Sequence, residues 1–323
     1  MNSKKIFFII EFVLAVLVII LALMMLQEKN GNDLSRVSVV VPDSDHTQWT
    51  ALRYGLKMAA EDLGIDLFVV STGNTLSAPE QMELIQNEIE HGADAVIVQP
   101  AIGEYTEELL KKVESRVPVM LVEYAASKAG ESSLLPVVKP DHYAMGNALA
   151  EEILDDYNGN IKGRTIGIVT ESLESEAAAR CRKGFEDGLK GTGADLSWVV
   201  SGLQQENKEK QLKKQHKVNI IAAFDDRSLT AAGKYSAAND LHGAFVYGIG
   251  HSTEAAYYLD TGSIECLVVP DEFNIGYQSL TQTAKKLGAY FYEMENQTVS
   301  YTVIRRDELF SPKNQESLFT MSQ

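Results

Sequence analysis

The sequence predicts an α/β protein of two doubly wound, parallel-sheet halves behind one N-terminal membrane helix. Three observations carry this. Short runs rich in Val and Ile alternate with segments of helical periodicity, as in a parallel sheet covered on both faces. The alternation runs to about residue 123 and starts again at 142. Ahead of it, residues 6–26 read IFFIIEFVLAVLVIILALMML, with a single charge. A chain of 323 residues also has the length of two ordinary domains.

As a helix, 6–26 spans about 31 Å, close to the hydrocarbon core of a bilayer. Lys4 and Lys5 precede it and Glu28, Lys29 and Asp33 follow, so the positive-inside rule leaves the N-terminus in the cytoplasm and the remainder outside. A cleaved signal peptide is the alternative. The run is longer than a usual signal core, LALMMLQEKNG offers no good cleavage site, and no cysteine follows for lipid attachment. Glu11 reads either as an acid snorkelling to the interface or as a contact with another membrane helix.

After the polar linker 27–35, RVSVVVP (36–42) predicts a strand. Residues 47–63 predict a helix with Trp49, Leu52, Leu56, Ala59, Ala60 and Leu63 on one face. DLFVVST (66–72), AVIVQP (95–100) and VPVMLVE (117–123) predict strands, with helices over 79–91 and 104–115 between them. The second half opens on a helix over 142–157, its face set by Met145, Leu149, Ile153 and Leu154. TIGIVTE (165–171), LSWVVSG (196–202), NIIAAFDD (219–226), AFVYGIG (244–250) and IECLVVP (264–270) predict strands. Helices fill 174–190, 204–216, 227–240 and 252–261. A long helix over 273–295 precedes a short strand near 299–304. In open α/β sheets ligands bind at the carboxyl ends of strands, so two such halves would face each other across a cleft.

Composition narrows the function. Lys and Arg number 29 against 45 Asp and Glu, a formal net charge of −16, which argues against nucleic acid as a partner. Cys181 and Cys266 have no zinc-site spacing; they read as two thiols, with a single bridge as the alternative. His46, His142 and His251 lack metal-site spacing, so no metal is expected. There is no G-x-S-x-G, phosphate loop or G-x-G-x-x-G after the first strand, so neither catalysis nor a cofactor is expected. Glu171, Glu174 and Glu176 read as a solvated helix start.

Several stretches carry a family resemblance: VSVVVPDSDHTQWTALRYGLKMAAEDLGIDLFVV, HGADAVIVQP, VPVMLVEY, KPDHYAMGNALAEEI, EAAARCRKGFEDGL, AAFDDRSLTAAG and FVYGIGHSTEAAYYLDTGSIECLVVPDEFNIG. By their order and spacing, residues 36–306 resemble the type I periplasmic binding proteins, most of all the ribose/galactose-binding branch, which shares its fold with the ligand core of the lac-repressor family. The resemblance implies three chain crossings, near 136–140, 269–272 and 296–300. It divides the chain into an anchor (1–29), a first domain (36–136 plus 272–297), a second domain (137–271 plus 298–310) and a polar tail (311–323). A repressor would need a basic helix-turn-helix where this chain has its apolar run.

The resemblance also implies a polar ligand between the domains, stacked on aromatic rings and hydrogen-bonded by Asn, Asp, Arg and Gln. A sugar suits that chemistry, because its desolvated hydroxyls need partners and its C–H face packs on rings. Carried onto this chain, the pattern selects Asp45, His46, Gln48 and Trp49 after the first strand, Gln99 after the third, and Glu123 and Tyr124 after the fourth. Trp49 has core packing as its alternative. Glu123 and Tyr124 stand where the ribose binder has an Asp-Arg pair. In the second domain the candidates are Arg180 (with Arg182 as alternative), Asp225 and His251. Asp225 is read as a ligand contact and Asp226 as the cap of the following helix. The expected protein is extracytoplasmic and tethered by 6–26. It closes on a sugar-like ligand and presents the closed form to an ABC permease or to a sensor histidine kinase.

Overall fold

The computed structural model describes residues 8, 10–20, 34–42, 49–72, 77–101, 105–123, 133–173, 175–202, 209–289, 291–312, 314 and 318. Of the expected membrane segment, residues 8 and 10–20 are described; they are helical and exposed. Among the described residues no helix is long and apolar enough to cross a membrane, so the structure does not provide the expected span.

The first sheet holds β1 (Arg36–Pro42), β2 (Asp66–Thr72), β3 (Ala95–Val98), β4 (Val119–Val122), β5 (Val137–Pro140) and β11 (Gln297–Val299). Its order is β11-β5-β4-β3-β1-β2, parallel throughout. Helices α1 (Thr50–Leu63) and α9 (Glu272–Gly288) cover one face, where Val37, Val39 and Val41 pack with Leu52, Leu56 and Ile275. On the other face Val40, Val96 and Val98 pack with Ile85 of α2 (Ala78–Glu90) and Leu110 of α3 (Thr106–Glu114). The strands are apolar at successive positions because both faces are buried, which removes the polar/apolar alternation of a half-exposed sheet.

The second sheet repeats the plan with β6 (Thr165–Thr170), β7 (Asp195–Ser201), β8 (Ile220–Ala223), β9 (Phe245–Ile249), β10 (Cys266–Pro270) and β12 (Tyr301–Arg305). Its order is β12-β10-β9-β8-β6-β7, with β12 antiparallel to β10 and the rest parallel. Helices α4 (His142–Asp156) and α5 (Glu176–Gly188) cover one face, α7 (Asp226–Ala237) and α8 (Thr253–Asp260) the other; α6 (Glu209–Lys214) precedes β8. Both cysteines are buried free thiols.

Strand pairing locates the crossings. The chain leaves the first sheet after Pro140, the second after Pro270, and passes between them at Ser300. Val137–Pro140, assigned from sequence to the second domain, therefore pairs with β4 and β11 in the first sheet. The strand expected near 299–304 is two strands, one in each sheet, split at Ser300. Pro140 faces Val299 and Pro270 faces Tyr301, so the three crossings lie side by side. The Asp271 N–H donates to the Ser300 carbonyl at 3.1 Å.

Both outgoing crossings carry the same local sequence, Pro-Asp followed five residues later by Gly: Pro140, Asp141 and Gly146, then Pro270, Asp271 and Gly276. Each Asp caps the helix it starts, accepting from the Ala144 N–H and the Asn274 N–H at 3.1 Å. Each Gly lets that helix touch its neighbour. A Cβ on Gly276 would lie 2.1 Å from the Leu52 carbonyl oxygen, and one on Gly146 would lie 2.0 Å from that of Cys181. The contacts are reciprocal, through Gly55 against Phe273 and Gly184 against Tyr143.

Candidate functional site

Each sheet reverses its order beside its first strand, between β1 and β3 and between β6 and β8. Such switch points splay the loops at the carboxyl strand ends and open a crevice there. On the first sheet, three neighbouring exits each carry a polar group, and two of these groups are buried without a hydrogen-bond partner. Trp49, which follows the loop after β1, is only 4% exposed and packs in the core, yet its indole N–H finds no acceptor. Gln99 follows β3. Its backbone is clamped, N–H to Val40 at 3.1 Å and carbonyl to the Gln81 amide at 2.8 Å, but its buried side-chain Oε1 accepts nothing. Glu123 follows β4, within electrostatic reach of Glu272 and His251. Its φ of 47° lies in the left-handed region, which a side-chain-bearing residue adopts at a cost. β1, β3 and β4 are adjacent, so the three groups form a row. A buried polar group without a partner costs about 1–3 kcal/mol, which Trp49 and Gln99 each incur here.

Charged pairs link the two lobes beside this row. His251, after β9, holds Glu272 of α9 at 2.9 Å from its Nδ1. Burial alone would lower the His251 pKa. The charge and hydrogen bond of Glu272, with Asp226 and Glu123, outweigh it and raise it to about 9. Burial, then the nearby Glu272 charge, pushes Glu123 up to about 7, against the pull of His251. On the other side Lys139 of β5 pairs with Glu176 of α5 at 3.0 Å, and Arg180 reaches the same carboxylate at 3.4 Å. Burial and the Lys139 charge lower His142 to about 4.

The cap assignment from sequence is reversed. Asp225 is the N-cap of α7: its carboxylate accepts from the Ser228 N–H at 2.8 Å, the Ser228 hydroxyl at 3.0 Å and the Glu171 N–H at 2.6 Å. Its extended backbone is what a cap requires, whereas Asp226 is already helical. Burial raises the Asp225 pKa and these hydrogen bonds oppose the rise. Asp226 instead receives the His251 and Ser252 N–H groups at 2.7 and 2.8 Å, holding the loop that presents His251.

The structure thus brings Trp49, Gln99 and Glu123 onto one sheet edge, and places His251 within electrostatic reach of Glu123. Arg180 is exposed and bound to Glu176; Arg182, its alternative, pairs with Glu186 at 2.6 Å. Asp45, His46, Gln48 and Tyr124 lie outside the described residues. Sequence reasoning missed Lys139, Glu176 and Glu272. For Glu272 a signal existed, the repeated Pro-Asp-x-x-x-x-Gly at the crossings. Among the described residues no group of His, Cys, Asp and Glu is arranged to hold a metal ion.

Residues 37–289 match the family described as periplasmic binding protein domain. The chain belongs to this family. No curated protein sequence matches it. Among solved structures, this periplasmic binding protein domain resembles a carbohydrate transporter solute binding protein from Agrobacterium radiobacter in complex with D-arabinose (17% identity, 89% of this chain and 100% of that one, TM-score 0.75). It also resembles GanP, a glucose-galactose binding protein from Geobacillus stearothermophilus (20% identity, 86% and 100%, TM-score 0.73). A third is a galactofuranose binding protein (17% identity, 90% and 99%, TM-score 0.72). The family is one of substrate-binding proteins, not of enzymes.

Proposed function

We propose that this is an extracytoplasmic solute-binding protein that takes a small sugar between its lobes and delivers it to an ABC-type permease. The unpartnered Trp49 and Gln99 atoms, in a row with the Glu123 carboxylate, carry the reading. An indole N–H donor beside two oxygen acceptors suits vicinal hydroxyls, which both donate and accept. The sugar ligands and sugar specificities of the structural neighbours support it. Asp225 enters the proposal as the cap that shapes the second lobe's crevice, and His251 as the residue that meets the first lobe on closure. No observation favours a sensor kinase as the partner.

The apolar run 6–26 supports a tether that keeps the binding domain near its permease and raises its effective concentration there. Retention of the full-length chain in the membrane fraction after carbonate washing is the expected result; a mature chain starting near residue 27 in the medium overturns the tether. The binding function is tested by thermal unfolding of the full-length chain against a panel of pentoses, hexoses and short oligosaccharides. A ligand at 100 times its Kd stabilises by about 2.7 kcal/mol, and small-angle scattering should show a more compact particle. A panel that shifts neither reading removes sugars from the proposal.

A further inference from the structure

One ion pair joins the two lobes from anchored ends. His251 lies in the loop after β9, in the second lobe. That loop is fixed to α7, because the His251 and Ser252 N–H groups both donate to the Asp226 carboxylate, at 2.7 and 2.8 Å. The same carboxylate oxygen lies 2.8 Å from where a Cβ on Gly250 would stand, so loop and helix are in close contact. Glu272 belongs to the first lobe, in the first turn of α9, which packs against α1 through Gly276. Each partner therefore moves with its own lobe. His251 Nδ1 and Glu272 Oε1 are 2.9 Å apart, and the two side chains are only 17% and 9% exposed. A rotation that opens the crevice draws the imidazole away from the carboxylate and lets water in.

We propose that closure of the lobes takes up a proton on His251, so that the protein holds its ligand more tightly at neutral than at alkaline pH. This rests on the sugar-binding reading above and adds a regulation to it. A histidine held against a buried carboxylate keeps its proton well above neutrality, and one released into water does not. Among the described residues three acids act on the imidazole: Glu272 of α9, Asp226 of α7 and Glu123 at the exit of β4. Burial opposes the His251 charge; the acids, Glu272 foremost, outweigh it and raise the pKa from 6.5 to about 9. Parted from Glu272, His251 returns toward 6.5. A group whose pKa is raised in the closed form favours closure fully below 6.5, and that contribution is lost as pH rises through 9. At pH 8 the open form holds almost no proton on this residue and the closed form holds one, so closing draws about one proton from the buffer. Glu123, brought up to about 7 by burial and then by Glu272, adds to the uptake nearer neutrality and little at pH 8. The other link between the lobes, Lys139 with Glu176 at 3.0 Å, has beside it His142, which burial and Lys139 lower to about 4. That link favours closure without adding to the pH dependence above neutrality.

The test is calorimetric titration of the full-length chain with D-arabinose, D-xylose, D-glucose and D-galactose at pH 7, 8 and 9, each in two buffers of different ionisation enthalpy. None of these sugars titrates in that range, so the dependence of the heat on the buffer counts the protons the protein takes up. The expected result at pH 8 is an uptake of about one proton per sugar bound, with affinity at least about tenfold weaker at pH 9 than at pH 7. Glu272→Gln leaves an acceptor for the imidazole but removes the charge. It should cut the uptake at pH 8 to less than about half, flatten the pH dependence, and bring the affinity at pH 7 toward the wild-type value at pH 9. Glu176→Gln, which breaks the other link, should weaken binding at every pH and leave the proton count as in wild type. A merely structural role for Glu272 would make its variant behave like Glu176→Gln. Binding without proton uptake at pH 8, or an uptake that Glu272→Gln does not change, overturns the inference while sugar binding stands. Titrations in which no sugar binds remove the sugar-binding reading itself, and the inference with it.

Discussion

Gly276 and Gly288 lie in the same helix, α9, and the same substitution at the two should act with opposite sign. At Gly276 a Cβ would fall 2.1 Å from the Leu52 carbonyl oxygen and 2.9 Å from the Leu56 nitrogen. Both are backbone atoms of α1, so no side chain can swing aside. Relief requires the helices to part by roughly 1 Å, across a contact that buries Leu52, Leu56 and Ile275. Overpacking of this kind costs about 1–3 kcal/mol, and a backbone obstruction belongs at the upper end. The better helix propensity of Ala returns about 1 kcal/mol, leaving a net loss of about 2 kcal/mol for Gly276→Ala. At Gly288 nothing lies within 4 Å of the added atom. There the change only reduces the freedom of the unfolded chain, a gain of about 0.4–1 kcal/mol. Urea and thermal unfolding followed by tryptophan fluorescence measure both. For a protein of this size the first variant should melt about 3 °C lower, and the second slightly above wild type. If Gly276→Ala is as stable as wild type, α1 and α9 do not touch at this depth and the account of the crossing is wrong.

Further outcomes follow from the site. Gly146→Ala should bring a penalty like that of Gly276→Ala to the second lobe, since its Cβ would meet the Cys181 carbonyl, and a variant that melts like wild type would contradict that packing. Asp225→Ala should lower apo stability by about 1–2 kcal/mol in urea melts, because it removes a cap and strands the Glu171 N–H; unchanged stability would count against the cap. Trp49→Phe keeps the ring but deletes the unpaired N–H; apo stability should hold or rise while sugar affinity falls about tenfold, and a loss of stability without loss of affinity would place that N–H in the fold instead. His251 is raised from its ordinary 6.5 to about 9, so its contribution to stability is complete below pH 6.5 and is lost as pH rises through 9. Melts across that window should show this decline, and Glu272→Gln should reduce it; an unchanged slope would rule out the pair as its source.

The strands that carry Val and Ile at successive positions were legible because burial on both faces leaves that signature and little else does. β5 and β11 were not. Val137–Pro140 is four residues ending in Pro, and Gln297–Val299 is three, too short for any periodicity to register. The long helix read over 273–295 stops at Gly288. Trp49, Gln99 and Glu123 were named as candidates because the family resemblance places ligand contacts after the first, third and fourth strands, and the strand order sets those exits side by side. The exchange between Asp225 and Asp226 was beyond reach: two adjacent carboxylates compete for one cap, and a backbone angle decides between them. Glu176 was missed because its partner Lys139 sits in the other lobe, a pairing that no local pattern encodes; the repeat at the crossings marks the position of Glu272 but not its pairing with His251.

The side-by-side crossings at Asp141, Asp271 and Ser300 constrain how the chain can be made. β11 and β12, which edge the two sheets, flank a single residue near the end of the sequence. During synthesis the first lobe cannot complete its sheet until residues up to Val299 have left the ribosome, nor the second until residues up to Arg305 have. Both then gain their last strand almost together. A nascent chain is thus held in an unfinished state for most of its translation, the state in which a polypeptide can still be threaded through a membrane channel. Truncation anywhere before residue 297 would strip an edge from both lobes at once, not from one.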